Sequence, residues 1–214
     1  MIKAVIFDLD GTLLNTLGDI CSVLNESLEK FNLPKVTFND AKRFIGNGAK
    51  VLIERAVGDR IDMRQKVYNY YIERFAKCNN EFTELYHGEE KVLTALKDAG
   101  IKLALITNKP QDATDAVYVK FLAKFGFSEV LGQTEYYPLK PNPASTFEVL
   151  SRLGVEKTEC VFVGDGETDV ETAKAAGIRC ISVLWGYRSR EQLEVVGADE
   201  FCENFNELAN RILS

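Results

Sequence analysis

Apolar residues come along this chain in two rhythms. One is a short unbroken run, seen at 3–9, 102–107, 160–164 and 180–185, with a weaker one at 129–132. Runs of this length that do not alternate suit strands covered on both faces, the habit of parallel sheets. The other rhythm is helical. The stretch "GEEKVLTALKDAG" puts Val92, Leu93, Leu96 and Ala99 on one face and stops at Gly100. "NPASTFEVLSRLG" has Pro143 near its start and Gly154 at its end. "ETDVETAKAAG" opens with acidic residues and stops at Gly177. Strand and helix alternate, which predicts an α/β fold with a doubly wound parallel sheet, a Rossmann-like core.

The pattern changes between Leu14 and about Leu85. "GDICSVLNESLEKF" sets Ile20, Leu24, Leu28 and Phe31 on one helical face, and "GAKVLIERAV" and "IDMRQKVYNYYIERFAKC" read as helices too. No strand-like alternation is visible there. The expectation is a core made of 1–14 and 86–214, with 15–85 inserted as a helical cap.

Polar residues at the ends of the apolar runs change the picture, because open α/β sheets bind ligands outside the carboxyl ends of their strands. The first run ends in "DLDGT", with Asp8 and Asp10 two residues apart. Buried strands do not ordinarily end in paired carboxylates, which repel each other and resist losing water. The run at 102–107 ends in Thr107 and Asn108, and "VFVGDGETD" ends in Asp165 with Asp169 one helical turn on. Lys140 precedes the helix that starts near Pro143. Taken singly these are weak signals: aspartates favour turns, Thr107 suits a helix cap, and Lys140 suits solvent. Taken together they fit phosphoryl transfer. A carboxylate attacks phosphorus, Thr107 and backbone N–H groups hold phosphate oxygens, and Lys140 adds a point charge. Four aspartates beside an anionic phosphate require a cation, and an all-oxygen set with room for water suits Mg²⁺.

Charge and composition narrow the partners. The formal net charge of −6 over 214 residues argues against a nucleic-acid or anionic-lipid surface. No apolar run approaches the roughly 20 residues of a membrane span, and the N-terminus lacks the basic and apolar regions of a signal peptide. Five scattered cysteines, an odd number without CxxC, read as reduced thiols of a cytoplasmic protein. The only histidine, His87, reads as a linker residue.

"DLDGTL", "ITN", the lysine of "KPNP" and "GDGETD" resemble, in order, the four motifs of the haloacid-dehalogenase-like hydrolases. That resemblance implies a nucleophile at Asp8 and a general acid and base at Asp10. It implies phosphoryl binding by Thr107 and charge neutralisation by Lys140. It also implies Mg²⁺ held by Asp8, Asp165, Asp169 and the backbone carbonyl of Asp10. An acid at position 10 points to the phosphatase branch rather than the dehalogenases. Gly166 departs from the pattern, since relatives often carry Ser or Thr there. "FIGNGAKVLIERAVGD" and "LWGYR" resemble the phosphoglycolate phosphatases of the family, which implies a small phosphorylated metabolite such as 2-phosphoglycolate as partner and a monomer or homodimer as the working form. Asn108 joins Thr107 and Lys140 as a candidate substrate contact. Asn47, Gly48 and Lys50, with Arg43 nearby, form a candidate carboxylate site in the cap, the plainer reading being a turn between helices with solvated cations. A pyrophosphatase, nucleotidase or sugar-phosphate mutase would share the core motifs. A receiver-like signalling domain shares their chemistry, but carries its phosphorylated aspartate on a later strand.

Overall fold

The computed structural model describes residues Met1–Ser214, and all five apolar runs form strands in it. In chain order the elements begin with β1 (Ala4–Phe7), β2 (Leu14–Asn15), α1 (Leu17–Lys30), α2 (Phe38–Phe44), α3 (Gly48–Val57), α4 (Arg64–Ala76), β3 (Glu84–Leu85) and α5 (Glu89–Asp98). They continue through β4 (Lys102–Pro110), α6 (Gln111–Val117), β5 (Glu129–Gln133), α7 (Ala144–Leu153), β6 (Cys160–Gly164), α8 (Glu167–Ala176) and β7 (Arg179–Val183). The chain closes with α9 (Arg190–Val195), β8 (Phe201–Cys202) and α10 (Phe205–Leu213).

Why the runs are apolar throughout is visible in where alternate residues go. Val5, Phe7, Leu103, Leu105, Val161 and Val163 enter one core layer, together with residues of α5 and α10. Ala4, Ile6, Ala104, Ile106, Cys160 and Phe162 enter the other, against α7 and α8. Side chains still alternate with period two, but both faces are buried, so both must be apolar.

The six-stranded sheet has the order β5-β4-β1-β6-β7-β8, and every pairing in it is parallel. From β1 the chain goes on to β4 on one side and later to β6 on the other, which makes β1 the topological switch point. Phe7 stands opposite both Leu105 and Val163. The residues just beyond these three therefore emerge at one edge: Asp8, Ile106–Thr107 and Gly164–Asp165.

A separate apolar cluster of 15 buried residues is drawn mostly from α1, α3 and α4, with Ala113 and Tyr187 joining it from the sheet side. The expectation of no strand in this stretch needs correcting. β2 and β3 form a two-stranded antiparallel ribbon, Leu14 opposite Leu85 and Asn15 opposite Glu84. This ribbon brings the two ends of the helical segment together. No helix is long and apolar enough to cross a membrane. All five cysteines are free; Cys160 is buried and Cys180 only half-buried.

Candidate active site

Asp8 leaves the carboxyl end of the central strand and meets Lys140 and Asp169. Lys140 Nζ donates to Asp8 Oδ1 at 2.7 Å and to Asp169 Oδ1 at 2.6 Å. The lysine side chain is 2% exposed, against 13% for Asp8. Burial alone would push its proton off, but the charges of Asp169 and Asp8 outweigh that and hold it above the ordinary lysine range.

Asp165 is held from two sides. Thr12 Oγ1 donates to its Oδ1 at 3.0 Å and the Tyr187 N–H to its Oδ2 at 2.7 Å. Room for this carboxylate depends on glycine. A Cβ on Gly11, at φ +91°, would come within 2.4 Å of Asp165 Oδ2, and one on Gly186 within 2.3 Å of its Cβ. Asp169, in the first turn of α8, accepts the Gly166 N–H at 2.9 Å through Oδ2. Ligand oxygens of Asp8, Asp165 and Asp169 all lie within 4.8 Å of one another. Burial, reinforced by the neighbouring Asp169 charge, pushes Asp8 up to about 7. Burial and the charges of Asp8 and Asp169 push Asp165 up to about 8. Three hard oxygen donors that cannot all stay ionised alone fit a divalent cation.

Asp10 stands apart from that cluster. Its Oδ1 accepts from Thr16 Oγ1 at 2.7 Å and from Lys109 Nζ at 2.9 Å, and its Oδ2 is 3.3 Å from the same Nζ. Lys109 also sits 4.6 Å from the centre of the Phe75 ring. Thr107, 5% exposed, lines the cleft above Asp8 and accepts the Lys109 N–H through its hydroxyl at 3.3 Å.

The cleft measures about 100 Å³, small beside the roughly 300–1,000 Å³ of pockets for drug-sized ligands. Asp8, Asp10, Thr107, Asn108 and Lys109 line one side, and Ile20, Ile45, Leu52, Tyr71, Ile72 and Phe75 face them.

Three expected substrate contacts sit differently. Asn108 lines the cleft, but its side chain serves Lys140: Oδ1 accepts the Lys140 N–H at 2.8 Å, and Nδ2 donates to the Lys140 and Gly46 carbonyls at 3.1 and 3.0 Å. Its amide is occupied in positioning. Gly48 reaches the cleft, whereas Lys50 is exposed and outside the lining. Asn47 Oδ1 accepts from Arg55 Nη2 at 2.9 Å, and Arg43 pairs with Asp40. The cation inside the cleft is Lys109. The sequence carries one signal for it: it is the third residue of the polar triplet Thr107-Asn108-Lys109. The strand carries on through it, and a register shift between Ile106 and Pro110 turns the whole triplet to the cleft.

Residues 5–183 match the family model described as haloacid dehalogenase-like hydrolase. A phosphoglycolate phosphatase of Haemophilus influenzae (strain 86-028NP) is 34% identical over 218 residues, covering 96% of each chain. Phosphoglycolate phosphatase 1 of Pseudomonas aeruginosa is 33% identical over 192 residues, covering 86% of this chain and 70% of that one. A crystal structure of a predicted phosphoglycolate phosphatase from Haemophilus somnus superposes with a TM-score of 0.89 at 30% identity, covering 100% of this chain and 98% of the other. The chain belongs to the haloacid dehalogenase-like hydrolases and is a phosphatase of that family.

Proposed function

We propose that this phosphatase is a Mg²⁺-dependent phosphomonoester hydrolase that forms an aspartyl phosphate on Asp8, and that its substrate is a small phosphorylated acid such as 2-phosphoglycolate. The observation that carries the reading is the buried Lys140 bridging Asp8 and Asp169, beside three carboxylates gathered within 4.8 Å. The fit to a hard cation rests on that donor set, in which burial and mutual repulsion disfavour the ionised forms of Asp8 and Asp165 until a cation offsets them. Asp8, Asp165 and Asp169 would hold Mg²⁺, with the Asp10 carbonyl. When bound, Mg²⁺ supplies positive charge that offsets the carboxylates and the incoming phosphate.

The chain's own residues do the rest. An Asp8 carboxylate oxygen bonds to phosphorus while the bond to the leaving oxygen breaks. Asp10, held by Thr16 and Lys109, gives its proton to that oxygen. It then takes a proton from water, which attacks the phosphorus, releases phosphate and restores Asp8. Lys140 orients Asp8 and offsets its charge, and the Thr107 hydroxyl and backbone N–H groups hold the phosphoryl oxygens. The rest of the substrate lies toward Lys109 and the apolar side. We assign Lys109 as the partner of the substrate carboxylate, in place of Lys50. Residues 15–85 act as the cap that closes this side and keeps bulk water out.

Initial rates over a panel of small phosphoesters, with and without Mg²⁺, test the reading. 2-Phosphoglycolate is expected to rank at or near the top, with no turnover in chelated enzyme. A top rank for pyrophosphate or a nucleotide would replace the substrate assignment, and full metal-free activity would remove Mg²⁺.

A further inference from the structure

Residues 185–188, just after β7, join parts of the molecule that are far apart in sequence. Trp185 Nε1 donates to the Thr12 carbonyl at 2.9 Å. Tyr187 gives its N–H to Asp165, and its hydroxyl oxygen accepts the Thr16 N–H at 3.0 Å. Arg188 then crosses to the helical side. Its Nη1 donates to the Lys42 carbonyl at 2.9 Å, its Nη2 to the Ile45 carbonyl at 2.6 Å and its Nε to Glu167 Oε2 at 2.7 Å.

The side chain is only 8% exposed. A guanidinium this far out of water is tolerable only when its donors are matched, and its planar fork gives three separate directions in which to match them. Two of its partners are backbone carbonyls at the carboxyl end of α2, which no further helical turn satisfies and where a cation is favoured. The third, Glu167, opens α8, the helix that carries Asp169. The loop that Arg188 grips supplies Ile45, Gly46 and Gly48 to the cleft wall.

We infer that Arg188 is a positioning residue for the phosphatase reaction. It clamps residues 42–48 over the cleft and ties them to the helix that bears Asp169, without touching a reacting atom. The inference uses the family activity and does not depend on which phosphoester is the natural one.

Arg188→Ala and Arg188→Lys in the full chain, assayed with Mg²⁺ on 2-phosphoglycolate and p-nitrophenyl phosphate, test it alongside amide hydrogen exchange. Losing hydrogen bonds to a charged group is expected to raise KM about tenfold or more on both substrates, with a smaller fall in kcat. Amides of 43–50 should exchange faster while those of β1 and β6 keep their protection. Arg188→Lys, which keeps the charge but not the fork, should fall between. Glu167→Gln should move KM the same way by less, and add little in the Arg188→Ala background. The inference is overturned if Arg188→Ala leaves KM within twofold and 43–50 protected. It is equally overturned if both variants lose protection throughout the sheet, which would make Arg188 a residue of global stability, or if kcat falls with KM unchanged.

Discussion

The two walls of the cleft are built on opposite terms. On the sheet side every functional group is charged or polar, buried or half-buried, and already engaged: Asp8 and Asp169 by Lys140, Asp165 by Thr12 and Tyr187, Asp10 by Thr16 and Lys109. On the helical side Ile20, Ile45, Leu52, Tyr71, Ile72 and Phe75 offer shape and dryness. In the proposed function the first wall meets the phosphoryl group, which all phosphoesters share, and that calls for fixed charge at fixed places. In the same proposal the second meets whatever distinguishes one ester from another, and that calls for a fitted apolar surface with one well-placed cation. Lys109 belongs to both, since it pairs with Asp10 and lies over the Phe75 ring.

The contrast breaks first at Asp8. Asp8→Asn is expected to drop turnover to background on every phosphoester with the melting temperature kept, because an amide does not attack phosphorus effectively. Asp10→Asn is expected to cost roughly 10²–10⁴-fold in kcat, the usual worth of general acid–base help. If Asp8→Asn lost only one substrate, the sheet wall would not be the shared one.

Chelation comes next and acts on the same wall. EDTA should silence the enzyme and Mg²⁺ restore it, while Ca²⁺, with bonds of about 2.3–2.6 Å in place of about 2.0–2.1 Å, should restore little. Rates against free metal concentration measure this.

Lys109→Met sharpens the boundary between the walls. Both substrates lose something, since Asp10 loses a partner, so the ratio is the readout. kcat/KM for 2-phosphoglycolate should fall about ten- to a hundredfold further than for p-nitrophenyl phosphate. Lys50→Ala and Asn47→Ala should leave that ratio within twofold. A preserved ratio in Lys109→Met would take the carboxylate contact away from Lys109.

Glu89 sets the smallest effect and serves as the control, a buried acid in neither wall. It is 0% exposed, with Oε2 accepting the Tyr86 N–H at 3.1 Å and Oε1 without a partner. Burial pushes it up to about 9 from an ordinary 4.5. The native state therefore keeps a proton that the unfolded chain releases. The stability due to this group is complete below about pH 4.5 and is lost as pH rises toward about 9, by up to about 1.4 kcal/mol per pH unit. Glu89→Gln should remove that slope in denaturant titrations at pH 5 to 8 and leave kcat unchanged. An unaltered slope would show that Glu89 ionises freely.

The same contrast governs how much could be read from the sequence. Most of the sheet wall was legible because Asp8, Thr107 and Asp165 stand at the ends of apolar runs, where chain direction alone decides where they emerge; Lys109, in the same wall, was not. Asp8, Thr107, Lys140, Asp165 and Asp169 do meet around one strand edge. The helical wall depends on which way each helix turns. Gly48 faces the cleft, but Lys50, two residues on, lies about 200° around the helix and points to solvent. The ribbon of β2 and β3 is two residues long on each side, too short for any periodicity. Helix α2 has seven residues and only Ala41 buried, so it leaves almost no apolar stripe. Arg188 was hidden for another reason: its acceptors Lys42 and Ile45 are backbone carbonyls, which no side-chain pattern records.

The central claim is that the phosphoryl group passes through Asp8, and trapping it tests that most directly. Asp10→Asn mixed with p-nitrophenyl phosphate and Mg²⁺ retains a nucleophile and a leaving group that needs little acid help, but lacks the base that activates water. Acid quench and peptide mapping should find one phosphoryl group on the peptide bearing Asp8, released by hydroxylamine, and none in the Asp8→Asn/Asp10→Asn double variant. A phosphoryl group on any other residue, or steady turnover by Asp8→Asn alone, would contradict the account.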